Sequence, residues 1–250
     1  MKALITGASS GIGRDMAEIL ADKGYDLILV ARSSERLAEV AERINTGVRI
    51  INLDLSKEEA CFQLYDMTKN EEIDLLINNA GFGLFGEFSS TDLKEELNMI
   101  DVNIKAVHIL TKLFLKDFID RNSGKILNVA SSAGFSPGPL LSAYYGTKAY
   151  VLRLTEAIYE ELRRKQRNVY IGALCPGPVD TGFNDRANVK FSLKGLDSHF
   201  VASYALKQMD KGKLIIIPGR TIKVARIAQK LMPDKLLLRI TYKIQRKKGE

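Results

Sequence analysis

The strongest constraint on this chain is an alternation. Short β-rich runs at residues 2–5, 26–30, 48–53, 75–77, 125–129, 169–174 and 213–217 are separated by longer helical patterns. Strands joined through helix-length crossovers run parallel, so the pattern predicts a seven-stranded parallel sheet. The runs are apolar throughout rather than at every second residue, as expected when helices cover both faces of a sheet. At 250 residues, with 46% apolar content, the chain has material for a sizeable core. No Pro-, Gly- or Ser-rich break and no repeat divides it, and the economical reading is one doubly wound α/β domain over residues 1–219 with a helical tail over 220–250.

Charge narrows the partners. The chain carries a formal net charge of +7. Ten cations and two acids fall in residues 220–250, a balance of +8, which leaves residues 1–219 at −1. Nucleic-acid enzymes more often carry a basic stripe across the folded body, so no nucleic-acid partner is expected. Cys61, Cys175, His108 and His199 are the only cysteines and histidines. They are too sparse for a disulfide framework or a zinc cluster, and no structural metal is expected. A strand-like run follows Met1 almost at once, without an apolar leader of secretory length, which predicts a cytoplasmic protein.

The first run passes directly into Thr6-Gly7-Ala8-Ser9-Ser10-Gly11-Ile12-Gly13, and an apolar-periodic helix (Met16, Ile19, Leu20) follows. Glycines let backbone amides approach a pyrophosphate, whose charge then sits at the positive end of the helix. A glycine loop in this strand-turn-helix context points to a Rossmann-type dinucleotide fold. The second strand ends Val30-Ala31-Arg32-Ser33. An NAD-selective site has an acid near this point to hold the ribose 2′-hydroxyl, whereas here Ala31 precedes a cation. Arg32 can pair with a 2′-phosphate, with Ser9 or Ser33 as further donors, or stand in solvent; behind a dinucleotide loop, the first reading favours NADP(H) over NAD(H). Asp54 closes the third strand with two readings open, acceptor for an adenine amine or cap of the next helix. Asn78-Asn79-Ala80-Gly81 suits both a brace between central strands and a wall of the cofactor cleft. Asn103 stands among Met99, Ile100, Val102, Ile104 and Val107 in a helix predicted over 92–121. Alone it reads as a surface or helix-bending Asn, and it gains a further role only if it faces Lys148.

Tyr144 and Lys148 are four residues apart, one helical turn on one face. An ammonium beside a phenol favours the phenolate, lowering a pKa ordinarily near 10. Ser131 can place a hydroxyl beside the same phenol.

Taken together these elements resemble the short-chain dehydrogenase/reductase family, over residues 1–181 without a gap. The resemblance rests on the glycine loop Thr6 to Gly13, Asp54, Asn78-Asn79-Ala80-Gly81, Asn103, Ser131, Tyr144 with Lys148, and Pro176-Gly177-Pro178-Val179-Asp180-Thr181. The family's Ser stands thirteen residues before its Tyr, which selects Ser131 over Ser132, and only Tyr144, not Tyr145, stands four before the Lys. The resemblance implies an oxidoreductase moving a hydride between nicotinamide and a carbonyl or secondary alcohol, with Asn103, Ser131, Tyr144 and Lys148 as the catalytic set. Tyr144 would donate the proton and Ser131 would bond the developing oxyanion. Lys148 would bind the nicotinamide ribose and lower the Tyr144 pKa, and Asn103 would hold a water that links Lys148 to solvent. It further implies that Gly7, Ser9, Ser10, Gly11, Ile12, Gly13, Arg32, Asp54, Asn79, Ala80, Gly81, Tyr144, Lys148, Pro176, Gly177, Val179 and Thr181 hold the cofactor, Thr181 at the carboxamide. Ser10 departs from some NADP-dependent relatives, which have a basic residue there, so Arg32 alone carries the preference. Relatives form dimer faces from the helices corresponding to 92–121 and 145–165, which implies a homodimer or homotetramer. The competing readings are an epimerase or dehydratase on the same fold, and a cofactor-sensing protein without chemistry. The short chain and the complete polar quartet count against them.

Substrate-facing segments at the carboxyl ends of the strands supply Phe135, Pro137, Pro139, Leu140 and Leu141, then Phe183, Phe191, Leu193, Phe200 and Val201. They predict an apolar pocket for a small-molecule ketone, acyl thioester or steroid-like carbonyl, though some must merely fill the core. In the tail, Ile222, Val224, Ile227 and Leu231, then Leu236, Leu237, Ile240 and Ile244, recur about one turn apart with cations between and a Pro233-Asp234 break. This pattern gives two basic amphipathic helices, which pack on a core or subunit interface or lie on an anionic membrane surface. A similar tail occurs in the branch resembling NADP-dependent ketoacyl and hydroxysteroid reductases.

Overall fold

The computed structural model describes residues 1–181 and 195–246. All seven expected strands form: β1 (Lys2–Thr6), β2 (Asp26–Ala31), β3 (Val48–Asn52), β4 (Leu75–Asn78), β5 (Gly124–Val129), β6 (Val169–Leu174) and, last in the chain, β9 (Ile215–Ile216). Every pairing between them is parallel, in the order β3-β2-β1-β4-β5-β6-β9. β1 and β4 are therefore interior neighbours, and the strand order reverses between them. In a doubly wound sheet the crevice for a ligand opens at that reversal, outside the carboxyl ends of the strands. A small parallel pair, β7 (Val179–Asp180) with β8 (Leu196–Asp197), joins the two ends of the stretch 181–195 and has no counterpart in the sequence reading. Two-residue strands are too short to leave a periodic signal.

Continuous apolarity along the strands has the expected cause. Ala3 and Ile5 of β1 point into one core and Leu4 into the other; Leu27 and Leu29 of β2 alternate with Ile28 and Val30 in the same way. One core packs against α1 (Gly11–Asp22), α2 (Ser34–Ala41) and α7 (Ser198–Met209) through Met16, Leu20, Leu37, Val201 and Leu206. The other packs against α3 (Glu58–Thr68), α5 (Val107–Asp120) and α6 (Ser142–Arg164) through Leu64, Leu110, Phe114, Phe118 and Leu162. Each large side chain so buried contributes about 1.5–3 kcal/mol. Val201, expected among substrate-facing residues, is one of these core side chains.

The helical run predicted over 92–121 is present but not uniform. Asp92 caps α4 (Leu93–Ile100), its carboxylate accepting from the Glu95 amide at 3.0 Å. The next six residues, Asp101–Ala106, are π-helical before α5 resumes. Such wide turns often mark functional positions, and here the turn contains Asn103. The tail forms α8 (Arg220–Lys230) and α9 (Asp234–Arg246), with Pro233 at the break.

Candidate active site

The glycine loop is shaped by contact with the β4 end. Gly7 has φ +64°, and a β-carbon there would stand 2.8 Å from the Ala80 Cα, so both backbone conformation and space call for glycine. Gly13 is constrained differently: a β-carbon would run into the Asn79 Nδ2 and the Gly7 carbonyl. Asn79 Nδ2 donates to the carbonyls of Thr6 and Gly7 at 3.0 Å each, and Thr6 Oγ1 accepts from the Asn79 and Ala80 amides at 3.0 and 3.1 Å. The two strand ends at the reversal are thus clamped together. Behind the clamp, Asn78 Nδ2 donates to Asn128 Oδ1 at 2.9 Å and Thr111 Oγ1 at 3.0 Å, tying β4 to β5 and α5. Asn78 is the brace and Asn79 both brace and wall, which is the division expected of the pair. Ser10 precedes α1 without a side-chain cap, and no acid lies in that helix's first turn, so its positive end is left to whatever enters the cleft.

Two cavities meet at this clamp. One, of about 220 Å³, is lined by Gly7, Ser10, Gly11, Ile12, Asn79, Ala80, Gly81, Ser131, Ser132, Leu141, Tyr144, Tyr145, Lys148, Pro176, Gly177, Pro178, Val179 and Thr181, among others. The second, of about 200 Å³, is lined by Ser9, Arg32, Ser33, Arg36, Asp54 and Val102, and shares Gly7, Ser10, Ala80 and Gly81 with the first. The shared walls make one elongated cleft across the strand-order reversal, the shape a dinucleotide requires. Of the expected cofactor residues, only Gly13 does not reach the cleft wall; it lies beneath the loop. Arg36 is an addition. It stands four residues after Arg32, in the first turn of α2, and that spacing is the signal that could have found it. Among the described residues neither guanidinium forms an ion pair. Ser33 caps α2 by accepting from the Arg36 amide at 3.3 Å and donates to Glu35 at 2.9 Å. Asp54 does not cap α3, which begins after Lys57; it accepts from the Ser56 amide at 3.1 Å while lining the second cavity.

The polar trio converges on the first cavity. Ser131 ends the loop after β5, and its hydroxyl accepts from the Ala133 amide at 3.1 Å. Tyr144 lies in the first turn of α6 and hydrogen-bonds Ser131. Lys148 follows one turn later, 5% exposed, with Nζ donating to the Val129 carbonyl at 2.9 Å and lying 6.0 Å from the Tyr144 ring centroid. Burial pushes the Tyr144 phenol up to about 12, with the Ser131 hydrogen bond opposing, and pushes the Lys148 ammonium down to about 8. The lowering of Tyr144 expected from its lysine is not found; burial raises the phenol, and the group that opposes it is Ser131. Tyr145, the neighbouring phenol, is engaged elsewhere: Gln245 of α9 donates to its hydroxyl.

Asn103 does not reach the cleft either. It is fully buried, accepting from the Phe82 amide at 3.0 Å and donating to the Phe82 carbonyl at 2.8 Å and Thr147 Oγ1 at 3.0 Å. It does face the lysine: a β-carbon on Gly81 would lie 2.8 Å from Asn103 Oδ1 and 3.2 Å from Lys148 Nζ, so both groups crowd the same backbone. Of the apolar residues expected near substrate, Leu141 lines the cavity and Phe135 packs under the Arg226 guanidinium at 4.6 Å. Phe200 is exposed beside Tyr204. Phe183, Phe191 and Leu193 lie outside the described residues.

Comparison with known proteins agrees with this geometry. The family model for short chain dehydrogenase matches residues 1–190. An uncharacterized oxidoreductase of Staphylococcus saprophyticus is 34% identical over 214 residues, 82% of this chain and 91% of that one. The very-long-chain 3-oxoacyl-CoA reductase of Rattus norvegicus is 32% identical over 187 residues, 72% of this chain and 59% of that longer protein. A short-chain dehydrogenase from Sphingobium yanoikuyae, solved in complex with NADPH, matches with a TM-score of 0.84 at 30% identity, covering 92% of each chain.

Proposed function

The chain belongs to the short chain dehydrogenase family of oxidoreductases, and from that premise we propose that it is an NADP(H)-dependent carbonyl reductase for an apolar ketone, ketoacyl or steroid-like substrate. The observation that carries the reading is the convergence of Ser131, Tyr144 and Lys148 on one end of an elongated cleft whose other end presents Arg32 and Arg36. A nicotinamide cofactor, when bound, supplies the hydride. Tyr144 supplies the proton: with its pKa pushed up to about 12 it holds the phenol form at neutral pH, which is the donor that carbonyl reduction needs. The Ser131 hydroxyl, already beside that phenol, stabilises the charge that develops on the carbonyl oxygen. Lys148, tied to the Val129 carbonyl, is assigned to the nicotinamide ribose. Thr181 lines the same end and is assigned to the carboxamide. Asn103 acts as a positioning residue, holding the Gly81–Phe82 backbone against which Lys148 rests.

Two guanidinium groups at the far end favour a 2′-phosphate over a 2′-hydroxyl, since both form charge-assisted bonds to phosphate. Residues 1–219 would form the cofactor-binding and catalytic body and residues 220–250 a helical tail, and a homodimer or homotetramer would use α4–α5 and α6. The substrate class is supported by Leu141 at the cavity and by the named activity of the rat relative. A carbonyl-compound screen that follows NADPH oxidation tests the proposal, with Tyr144→Phe as control. Turnover of apolar ketones that disappears in the control supports it; a control that retains full activity removes Tyr144 as the donor. Arg32→Ala and Arg36→Ala should each weaken NADPH more than NADH, and equal losses would overturn the cofactor preference.

A further inference from the structure

The tail meets the body at several points. Ile222 packs against Gly177, Lys223 donates to the Tyr204 hydroxyl at 3.0 Å, Arg226 lies over Phe135, and Gln245 reaches Tyr145. These contacts use only one side of each helix. The inward side of α8 carries Ile222, Ala225, Arg226 and Gln229, while Val224, Ile227 and Leu231 stand 66%, 64% and 84% exposed on the opposite side, spaced i, i+3, i+7. In α9 the buried positions are Thr241 and Gln245, while Leu236, Ile240 and Ile244, spaced i, i+4, i+8, are exposed. A helix at equilibrium with water alone turns its apolar stripe inward. These two turn much of theirs outward.

Cations surround the stripe. Residues 220–250 carry a balance of +8. Beside α8, a cavity of about 440 Å³ brings Lys213, Lys223 and Arg226 together with Ile227. A second copy of this face is a poor occupant, because it would set two strongly positive surfaces against each other. An anionic lipid surface answers both features, taking the apolar side chains among its acyl chains and the cations among its headgroups. No helix among the described residues is long and apolar enough to cross a membrane, so the geometry is that of a helix pair lying on the surface.

From this we infer that α8 and α9 dock the protein on anionic phospholipid membranes through Val224, Ile227, Leu231, Leu236, Ile240 and Ile244, with the Lys213–Lys223–Arg226 cavity receiving a headgroup phosphate. The inference is independent of which carbonyl is reduced, and its test uses no turnover. Full-length protein is sedimented with phosphatidylcholine vesicles, with and without phosphatidylglycerol. Binding should be at least about tenfold stronger with the anionic lipid and fall steeply as salt is raised. Ile227→Glu combined with Leu231→Glu, or separately Lys235→Glu combined with Arg239→Glu, should each reduce it about tenfold or more while thermal melting stays unchanged. Binding no stronger to anionic than to neutral vesicles, or unaffected by both variants, overturns the inference. So does a change in sedimentation-velocity mass on making Ile227→Glu with Leu231→Glu, without vesicle binding by the parent, because the face would then join copies of the chain.

Discussion

Asn103 offers the sharpest separation between a residue that bends a helix and one that holds the site. Asn103→Ala removes three buried hydrogen bonds, two to the Phe82 backbone and one to Thr147. At roughly 1 kcal/mol net for each bond, the loss is about 3 kcal/mol. Thr147 keeps its own donation to the Tyr144 carbonyl at 2.7 Å, so the start of α6 should persist. The Gly81–Phe82 backbone, by contrast, loses the group that fixes it beneath Lys148. Urea unfolding should therefore show a lower midpoint with an unchanged slope, equivalent to about 3 kcal/mol. NADPH titration of the still-folded variant should show weaker binding in parallel. A midpoint equivalent to less than about 0.5 kcal/mol of change, within the range of an ordinary surface substitution, would refute the assignment of Asn103 as the anchor of that turn. Stability lost with NADPH affinity intact would leave it a helix-bending residue only.

Three further outcomes follow from the same geometry. Gly13→Ala forces a methyl into Asn79 and the Gly7 carbonyl; it should cost about 2 kcal/mol and weaken NADPH binding by fluorescence titration, and unaltered binding would mean that the loop is not clamped as described. Lys148 is held at about 8 against an ordinary 10.5, so between those values the unfolded chain binds more protons and this group adds stability as pH rises, while it costs stability below that window. The stability of the parent relative to Lys148→Met should accordingly climb through the window in urea melts, and a flat difference would place the lysine in solvent. Tyr145→Phe removes only the bond to Gln245; it should lower stability by about 1 kcal/mol and leave carbonyl reduction running, whereas loss of turnover would exchange the roles of the two tyrosines.

What could be read from the chain followed its periodicities. The seven strands were legible because each is long enough, or apolar enough on both faces, to stand out between helices, and the alternation of Ala3, Leu4 and Ile5 between two cores is why the signal was continuous. Motif residues that touch the cleft through backbone geometry, such as Gly7, were legible because glycine is required there. Arg36 was missed because an Arg read alone in a first helical turn looks like an ordinary solvated cation, and its four-residue spacing from Arg32 was the one hint of the shared wall. The depression of Tyr144 by Lys148 expected from spacing alone failed for a different reason: spacing gives proximity but not solvation, and burial raises the phenol. Val201 shows the same limit, since an apolar residue near a site and one in the core beneath it look alike in sequence. The π-helical turn around Asn103 leaves no compositional trace, because it differs from its neighbours only in which amide meets which carbonyl.

The contact between Gln245 and Tyr145 has a consequence for when the protein becomes competent. The bond joins residue 145 to residue 245, so the first turn of α6, which carries Tyr144, is braced by a helix that follows it far along the chain. A ribosome-bound nascent chain can lay down the sheet through β6 and still lack the helix that braces the phenol beside the proton donor. A brace made so late in the chain means that the turn carrying Tyr144 and Tyr145 settles only once α9 has docked.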